Sequence, residues 1–379
     1  MKKILILGAT GSIGKSGLDI IRQHPDKFCL AGMSAHKNAD ALLQAAGEFN
    51  CKNLCLTSES AQHHESVSFY GSDGLKELIK STDCDIILNG IAGAAGLVPS
   101  ITALENHKDL ALANKETIVM AGLLIRKLAA KNNTRILPVD SEHSAVFSLT
   151  QKYGKDALDS IVLTASGGPF RNTPKEKLET VTLADTLKHP TWNMGQKITI
   201  DSATLANKGL EVIEACRLFD VPAEKVHVVV HPQSLVHSLI RTKDGVLYAQ
   251  ISEPDMKHPI LQAFFWPEFQ PNKLRLFDLA DNVEMTFQKP RTDDFKMLPL
   301  AFEAAKKSGK YTIAYNAANE VAVAAFIQTQ IKFLDISNLT EEVLARDWTG
   351  EPSDFDEVFE ADKKARTAAK EVLSKWRAL

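Results

Sequence analysis

The chain has 379 residues, 44% of them hydrophobic and 24% charged, with a formal net charge of −3. This composition is ordinary for a soluble globular protein, and the length supports roughly two to three domains with cores of their own. The charge balance, with no Lys/Arg-rich run, argues against bulk nucleic-acid binding, and the uncharged stretch 86–104 is too interrupted by Asn89, Pro99 and glycines to span a membrane.

The N-terminal apolar run ends at Gly8, too short for a signal peptide, and residues 3–7 read as a strand. It leads into Gly8-Ala9-Thr10-Gly11-Ser12-Ile13-Gly14 and then a helical pattern through Leu18, Ile21 and Arg22. A glycine-rich turn between strand and helix exposes backbone N–H groups to a pyrophosphate. The Gly-x-x-Gly-x-x-Gly spacing is less specific than the commoner fingerprint, and a tight turn without a ligand would read the same. The second strand, 28–33, ends at Ser34-Ala35-His36-Lys37-Asn38, with no acid before Asp40. A lysine and a hydroxyl where NAD sites place a carboxylate favour the 2′-phosphate of NADP, although a solvated loop carries such residues too.

Further strands are expected at 53–57, 67–70, 86–88, 110–113 and 135–139, with helical stretches between them. Such alternation predicts a parallel, doubly wound sheet whose strand ends point their loops at the ligand. The glycine cluster 89–96 and Asn114-Lys115-Glu116 are therefore candidates for the nicotinamide and ribose side, or else serve helix packing and a first-turn pair. The five cysteines, Cys29, Cys51, Cys55, Cys84 and Cys216, form no Cys-x-x-Cys pair and fit a reducing cytoplasm.

Asp140 and Glu142 follow the last apolar run at i and i+2, on one side of an extended segment. Glu211 follows Asn207 at i+4 on a helix expected over 201–219, with Lys208 beside them. Three carboxylates without a thiolate make a hard oxygen set suited to Mg²⁺ or Mn²⁺. Spacing alone leaves equal room for Asp140 and Glu142 as caps of a helix beginning near Ser141, with Glu211 a solvated helix residue.

A strand at 160–165 runs into Ser166-Gly167-Gly168, a second anion cradle or a plain turn. Residues 183–197, with His189, Trp192 and Met194, lack a period and read as a loop able to cover a ligand, or as one anchored by Trp192. A strand at 226–230 and a hairpin of 236–241 with 246–251, turned at Asp244-Gly245, mark an α+β region. His231 and His237 read as structural residues before ligands. The prolines of 266–291 suggest a linker. Helices follow from Asp293, one opening near Asn316-Ala317-Ala318-Asn319-Glu320, and the last buries Val358, Ala361, Ala365, Val372 and Trp376.

The expected organisation is α/β: an N-terminal Rossmann-like doubly wound domain over 1–140, a central catalytic and dimerisation α+β domain over 141–265 with a flap near 183–197, a linker over 266–291, and a C-terminal α-helical domain over 292–379.

Taken in order, residues 8–14, 112–116, 139–143, 166–170, 189–194, 201–211 and 231–234 closely resemble the 1-deoxy-D-xylulose 5-phosphate reductoisomerase family over nearly the whole chain. The resemblance implies a cytoplasmic NADPH- and divalent-metal-dependent homodimer that converts 1-deoxy-D-xylulose 5-phosphate to 2-C-methyl-D-erythritol 4-phosphate in isoprenoid precursor biosynthesis, with Mg²⁺, Mn²⁺ or Co²⁺ as the metal and no nucleic-acid or membrane partner. The family's metal ligands fall on Asp140, Glu142 and Glu211, which with Lys115 form the catalytic set. Its substrate contacts fall on Lys115, Ser141, Glu142, Ser166, His189, Trp192, Ser202, Asn207, Lys208 and Glu211. Its cofactor contacts fall on Thr10, Gly11, Ser12, Ile13, Lys37, Asn38, Asn114, Glu116 and Gly195. His36 stands where relatives often carry glycine.

Overall fold

The computed structural model describes residues 1–192, 194–281 and 284–378. Asn193 of the expected flap, residues 282 and 283 of the expected linker, and Leu379 lie outside the described residues. The chain divides into two compact units: Met1–Thr117, Ile125–Ser144 and Asp255–Arg275 form one, and Ile118–Leu124, Ala145–Pro254 and the chain from Leu276 form the other.

The first unit alternates strand and helix: β1 (Lys2–Leu7), α1 (Ser12–Gln23), β2 (Phe28–Ala35), α2 (Ala39–Phe49), β3 (Leu54–Leu56), β4 (Phe69–Tyr70), α3 (Gly71–Ser81), β5 (Ile86–Asn89), α4 (Leu97–Glu105), β6 (Asp109–Leu112), α5 (Lys115–Lys131) and β7 (Ile136–Pro138). Ile4 to Leu7 and Ile86 to Leu88 are buried without alternation, as strands covered on both faces must be. The strands pair in parallel in the order β4-β3-β2-β1-β5-β6-β7. The winding reverses beside β1, where Leu7 is in register with Asn89 of β5. Ligands of doubly wound sheets sit beyond the strand ends at such a reversal.

After α6 (Ser141–Tyr153) come β8 (Leu158–Ala165), α7 (Lys175–Leu178), α8 (Leu183–Thr186), α9 (Gln196–Ala203), α10 (Ala206–Phe219), β9 (Val226–Val230), β10 (Val236–Thr242) and β11 (Leu247–Ile251). Their sheet runs β11-β10-β8-β9, with β8 parallel to β9 and antiparallel to β10, and the expected hairpin of β10 with β11 present. Next, α11 (Lys257–Phe265) returns to the first unit, where it packs on α1, β6 and β7 and Phe264 meets Phe28 edge-on at 5.5 Å. The sequence pattern attached this helix to the central domain, because an apolar face does not name its partner.

Four helices complete the second unit: α12 (Met297–Lys307), α13 (Lys310–Ile327), α14 (Asp335–Leu344) and α15 (Phe355–Ala378). Leu210 and Ile213 of α10, Met297, Tyr315, Leu339 and Ala365 belong to one buried cluster, so the α+β part and the terminal helices share a core.

Four local expectations differ from the structure. The helix expected over 201–219 is broken: Asp201 and Ser202 end α9, Leu205 turns in the left-handed region (φ 62°), and α10 starts at Ala206. The segment 183–197 is partly helical, because a Thr182–Asp185 capping box opens α8 and Gln196 already lies in α9. Asn316 and Asn319 lie inside α13 rather than opening it, since that helix begins at Lys310. Asp140 and Glu142 do not share an extended segment: β7 ends at Pro138, and Glu142 is in the first turn of α6.

Candidate active site

In the first unit, Gly11 is the N-cap residue of α1 and gives its first-turn N–H groups no side-chain acceptor. That is the arrangement of an anion-binding helix start. The turn is closed by Gly11 N–H donating to Gly8 O at 3.0 Å and Ala9 N–H to Ser34 O at 2.8 Å. A Cβ on Gly14 would lie 2.4 Å from Ala9 Cα and Gly8 O, so only glycine lets α1 start this close to the strand end. Thr10, Gly11, Ser12 and Ile13 therefore follow β1, while Lys37 and Asn38 follow the neighbouring β2. Lys37 is exposed. Asn38 caps α2, accepting from Ala41 N–H at 3.0 Å, and His36 Nδ1 bonds Thr57 Oγ1 at 3.0 Å.

Asn114, expected to touch cofactor, is buried at the start of α5. Its Oδ1 accepts from Thr117 N–H at 3.0 Å and Thr117 Oγ1 at 2.6 Å, and its Nδ2 faces Ile91 O, Gly93 O and Glu116 Oε2 at 2.7–3.0 Å. The amide thus caps α5 and fixes the glycine loop after β5. Asn89, fully buried, holds the same loop by donating to Gly96 O at 2.9 Å and Ser100 Oγ at 2.8 Å. The sequence placed Asn89 in the cluster but gave it no positioning role; an asparagine closing an apolar strand was the available signal.

Lys115 opens α5, and its Nζ lies 2.5 Å from Asp140 Oδ2, with the lysine 5% and the aspartate 11% exposed. Burial raises the Asp140 pKa, but the Lys115 ammonium, His143 and Glu142 together hold it well below the ordinary carboxylate range. The second oxygen, Oδ1, is buried and accepts no hydrogen bond from a described residue, with His143 Nδ1 3.6 Å away. Ser141 Oγ donates to Glu142 Oε2 at 2.6 Å. An ionised carboxylate with an unfilled inward oxygen fits a cation better than a helix cap.

In the second unit, α10 places Asn207, Lys208 and Glu211 on one face. Asn207 Nδ2 donates to Glu211 Oε1 at 2.6 Å and Lys208 Nζ bonds Oε2, with Lys208 3% and Glu211 1% exposed. Glu211 is therefore no solvated helix residue. Ser166 directly follows β8 and bonds His189 Nε2 at 3.0 Å. His189 Nδ1 accepts from Thr191 N–H at 3.2 Å and Trp192 N–H at 2.9 Å, which places the ring proton on Nε2. Burial, with Arg171 adding to it, lowers this histidine to about 4, so the ring is neutral. Ser166 Oγ then accepts from His189 and from Gly168 N–H at 3.3 Å, and its own proton is directed elsewhere. A Cβ on Gly168 would come within 2.7 Å of Ser202 O, so this cradle lies against the end of α9. Gly195, expected to touch cofactor, is the N-cap residue of α9. His231 and His237 are buried structural residues, bonding Thr286 O at 2.9 Å and Ser252 O at 3.1 Å.

Residues 4–122 match the model of the 1-deoxy-D-xylulose 5-phosphate reductoisomerase family, and residues 136–219 and 251–368 match two models of that enzyme's C-terminal domain. The chain is 50% identical over 370 residues to the 1-deoxy-D-xylulose 5-phosphate reductoisomerase of Treponema denticola, covering 97% of this chain and 96% of the relative. It is 44% identical to that of Treponema pallidum, covering 100% of this chain and 99% of the relative. Among solved structures, the Zymomonas mobilis enzyme in complex with NADPH superposes with a TM-score of 0.89 at 39% identity, over 98% of this chain and 99% of that one. A reductoisomerase in complex with NADPH, fosmidomycin and magnesium superposes at 0.90 with 35% identity, over 100% and 99%. With matches of this strength along its whole length, the chain belongs to the 1-deoxy-D-xylulose 5-phosphate reductoisomerase family.

Proposed function

We infer that this protein converts 1-deoxy-D-xylulose 5-phosphate to 2-C-methyl-D-erythritol 4-phosphate by skeletal rearrangement and hydride reduction, using NADPH and a divalent metal. The observation that carries the reading is Asp140: buried, held ionised beside Lys115, and keeping one oxygen without a hydrogen bond directly after a strand of a nucleotide-binding sheet. Asp140, Glu142 and Glu211 would hold the metal, and their hard oxygens suit Mg²⁺, with Mn²⁺ and Co²⁺ as further candidates. When bound, the metal supplies Lewis acidity to the ketone and adjacent hydroxyl, and NADPH supplies the hydride.

The chain's own residues bind and orient. Thr10, Gly11, Ser12 and Ile13 offer the start of α1 to the diphosphate, and Lys37 and Asn38 take the 2′-phosphate side. Asn114 sets the loop on the nicotinamide side and Glu116 takes a ribose-side contact, with Gly195 a further cofactor contact. Lys115 keeps Asp140 charged and donates toward substrate. Ser141 steadies Glu142. Ser166, His189, Ser202, Asn207 and Lys208 take the substrate phosphate, whose binding energy orients the reacting end. Trp192 belongs to the flap near 183–197, which excludes water.

Support for a cytoplasmic location comes from the five free cysteines, and no helix among the described residues is long and apolar enough to cross a membrane. The working form is a homodimer, checked by light scattering. The decisive experiment follows metal-dependent oxidation of NADPH by the purified protein with 1-deoxy-D-xylulose 5-phosphate, identifying the product by mass and NMR. Methylerythritol phosphate formed only with metal establishes the reaction. Oxidation that survives chelation points instead to an ordinary NADP-linked dehydrogenase.

A further inference from the structure

The corner between α9 and α10 carries Ser202 before the Leu205 turn and Asn207 and Lys208 after it. Beside Ser202 lies Asp201, 1% exposed, a carboxylate to which the reading above gives no role. Burying a carboxylate is costly, and burying one near groups that take a phosphate opposes the ligand's own charge. Its partners show what it gains there: Asn319 Nδ2 donates to Oδ1 at 2.9 Å, and Lys197 Nζ lies 2.8 Å from Oδ2. Asn319 is fully buried on α13, one turn beyond Tyr315, whose hydroxyl donates to Met297 O at 3.1 Å. The Asn319 amide oxygen accepts no hydrogen bond from a described residue, so donation to Asp201 is what this buried amide does.

We propose that Asn319 is a positioning residue for the phosphate subsite: through Asp201 it anchors the α9–α10 corner to α13 and so sets where Ser202, Asn207 and Lys208 stand. The proposal rests on the phosphate assignment made above. A carboxylate acting by charge alone weakens anion binding, and its neutralisation tightens it. A carboxylate acting as an anchor gives the opposite sign.

The test uses the full-length protein with inorganic phosphate as the probe, titrated calorimetrically and as an inhibitor of turnover, alongside NADPH affinity and the thermal midpoint. Asp201→Ala and Asn319→Leu should each raise the phosphate Kd and the substrate KM about tenfold while changing kcat by less than about threefold and leaving NADPH affinity intact. Asn319→Asp sets two carboxylates against each other and should weaken phosphate binding likewise; adding Asp201→Asn rebuilds an amide–carboxylate pair in the reverse sense and should recover part of that loss, which a packing role alone would not. Unchanged or tighter phosphate binding in Asp201→Ala, or a swap no better than Asn319→Asp alone, overturns the proposal. Lys208→Ala is the control. If it also leaves phosphate binding intact, the phosphate assignment fails and takes the proposal with it; if it weakens phosphate while Asn319→Leu does not, positioning by Asn319 fails alone. Should Asn319→Leu not fold, Asn319→Ala is read on the same scales.

Discussion

Asp140 faces two demands at once. Its Oδ2 neutralises the Lys115 ammonium, 5% exposed, and its Oδ1, which accepts no hydrogen bond from a described residue, is the atom the proposed metal would use. Asp140→Asn removes the charge from both, so turnover should be abolished while NADPH affinity changes little; near-normal turnover would remove this carboxylate from the metal set. Because the buried ammonium then loses this ion pair, urea denaturation should show a stability loss of about 3 kcal/mol. Chelation of the unaltered protein separates the two effects, since it should stop turnover without touching that ion pair. His189 supplies a second check. Its folded pKa lies at about 4, depressed by burial, against an ordinary value near 6.5. The neutral ring therefore contributes stability that is present above about pH 6.5 and lost as pH falls toward 4. Imidazole ¹⁵N shifts of the ligand-free protein should report a neutral ring protonated at Nε2 at pH 6, and a charged ring there would contradict both the burial and the hydrogen-bond assignment.

Elements whose signal is local were legible in the sequence, and elements decided by packing were not. The strands of the first sheet announce themselves as short apolar runs closed by glycine or asparagine, and the Asp244-Gly245 turn predicts its hairpin. The break at Leu205 has no such mark, because leucine rarely adopts a left-handed conformation and a pattern reader runs the helix straight through it. That strain is held by burial: Leu205 is 4% exposed within the core of the second unit. Leu205→Gly tests which effect wins. Relief of the left-handed backbone contributes about 1 kcal/mol, whereas loss of a buried leucine costs about 2–5 kcal/mol, so the variant should be less stable by roughly 1–4 kcal/mol in denaturant titration. A more stable variant would mean the turn is strained beyond what its side chain holds. The same blindness hid Asn319. Two asparagines among alanines read as a helix start, since asparagine is a poor helix former, and only the fold shows that Asn319 is buried against a carboxylate.

At the scale of the whole molecule, the turn at 8–14 proposed for the nucleotide lies in one unit, and Ser166, His189, Ser202, Asn207 and Lys208, proposed for the phosphate, lie in the other. Reading the sequence assigned both sets because each is continuous in the chain or falls on a quoted motif. It drew the domain boundaries differently because α11 joins the first unit after a long excursion and the terminal helices share a core with the α+β part. Two ligand sets on two units predict effects that separate. Lys208→Ala removes a charged donor, so the substrate KM and the inorganic phosphate Kd should each rise about 10- to 100-fold. NADPH affinity, which the proposed site assigns to the turn at Gly8 to Gly14, should stay within about twofold of the unaltered protein. Gly14→Ala should do the reverse, because its Cβ would meet Ala9 Cα at 2.4 Å and push α1 off the strand end. NADPH binding then weakens while phosphate binding holds. The lysine variant also removes one ion pair from Glu211, 1% exposed. It is therefore best paired with Lys208→Gln, which keeps a donor without the charge. Fluorescence titration with NADPH and calorimetry with phosphate, run on all three variants, decide the matter: if Lys208→Ala weakens both ligands equally, the lysine supports the fold and not the phosphate, and the assignment of α10 to the substrate is lost.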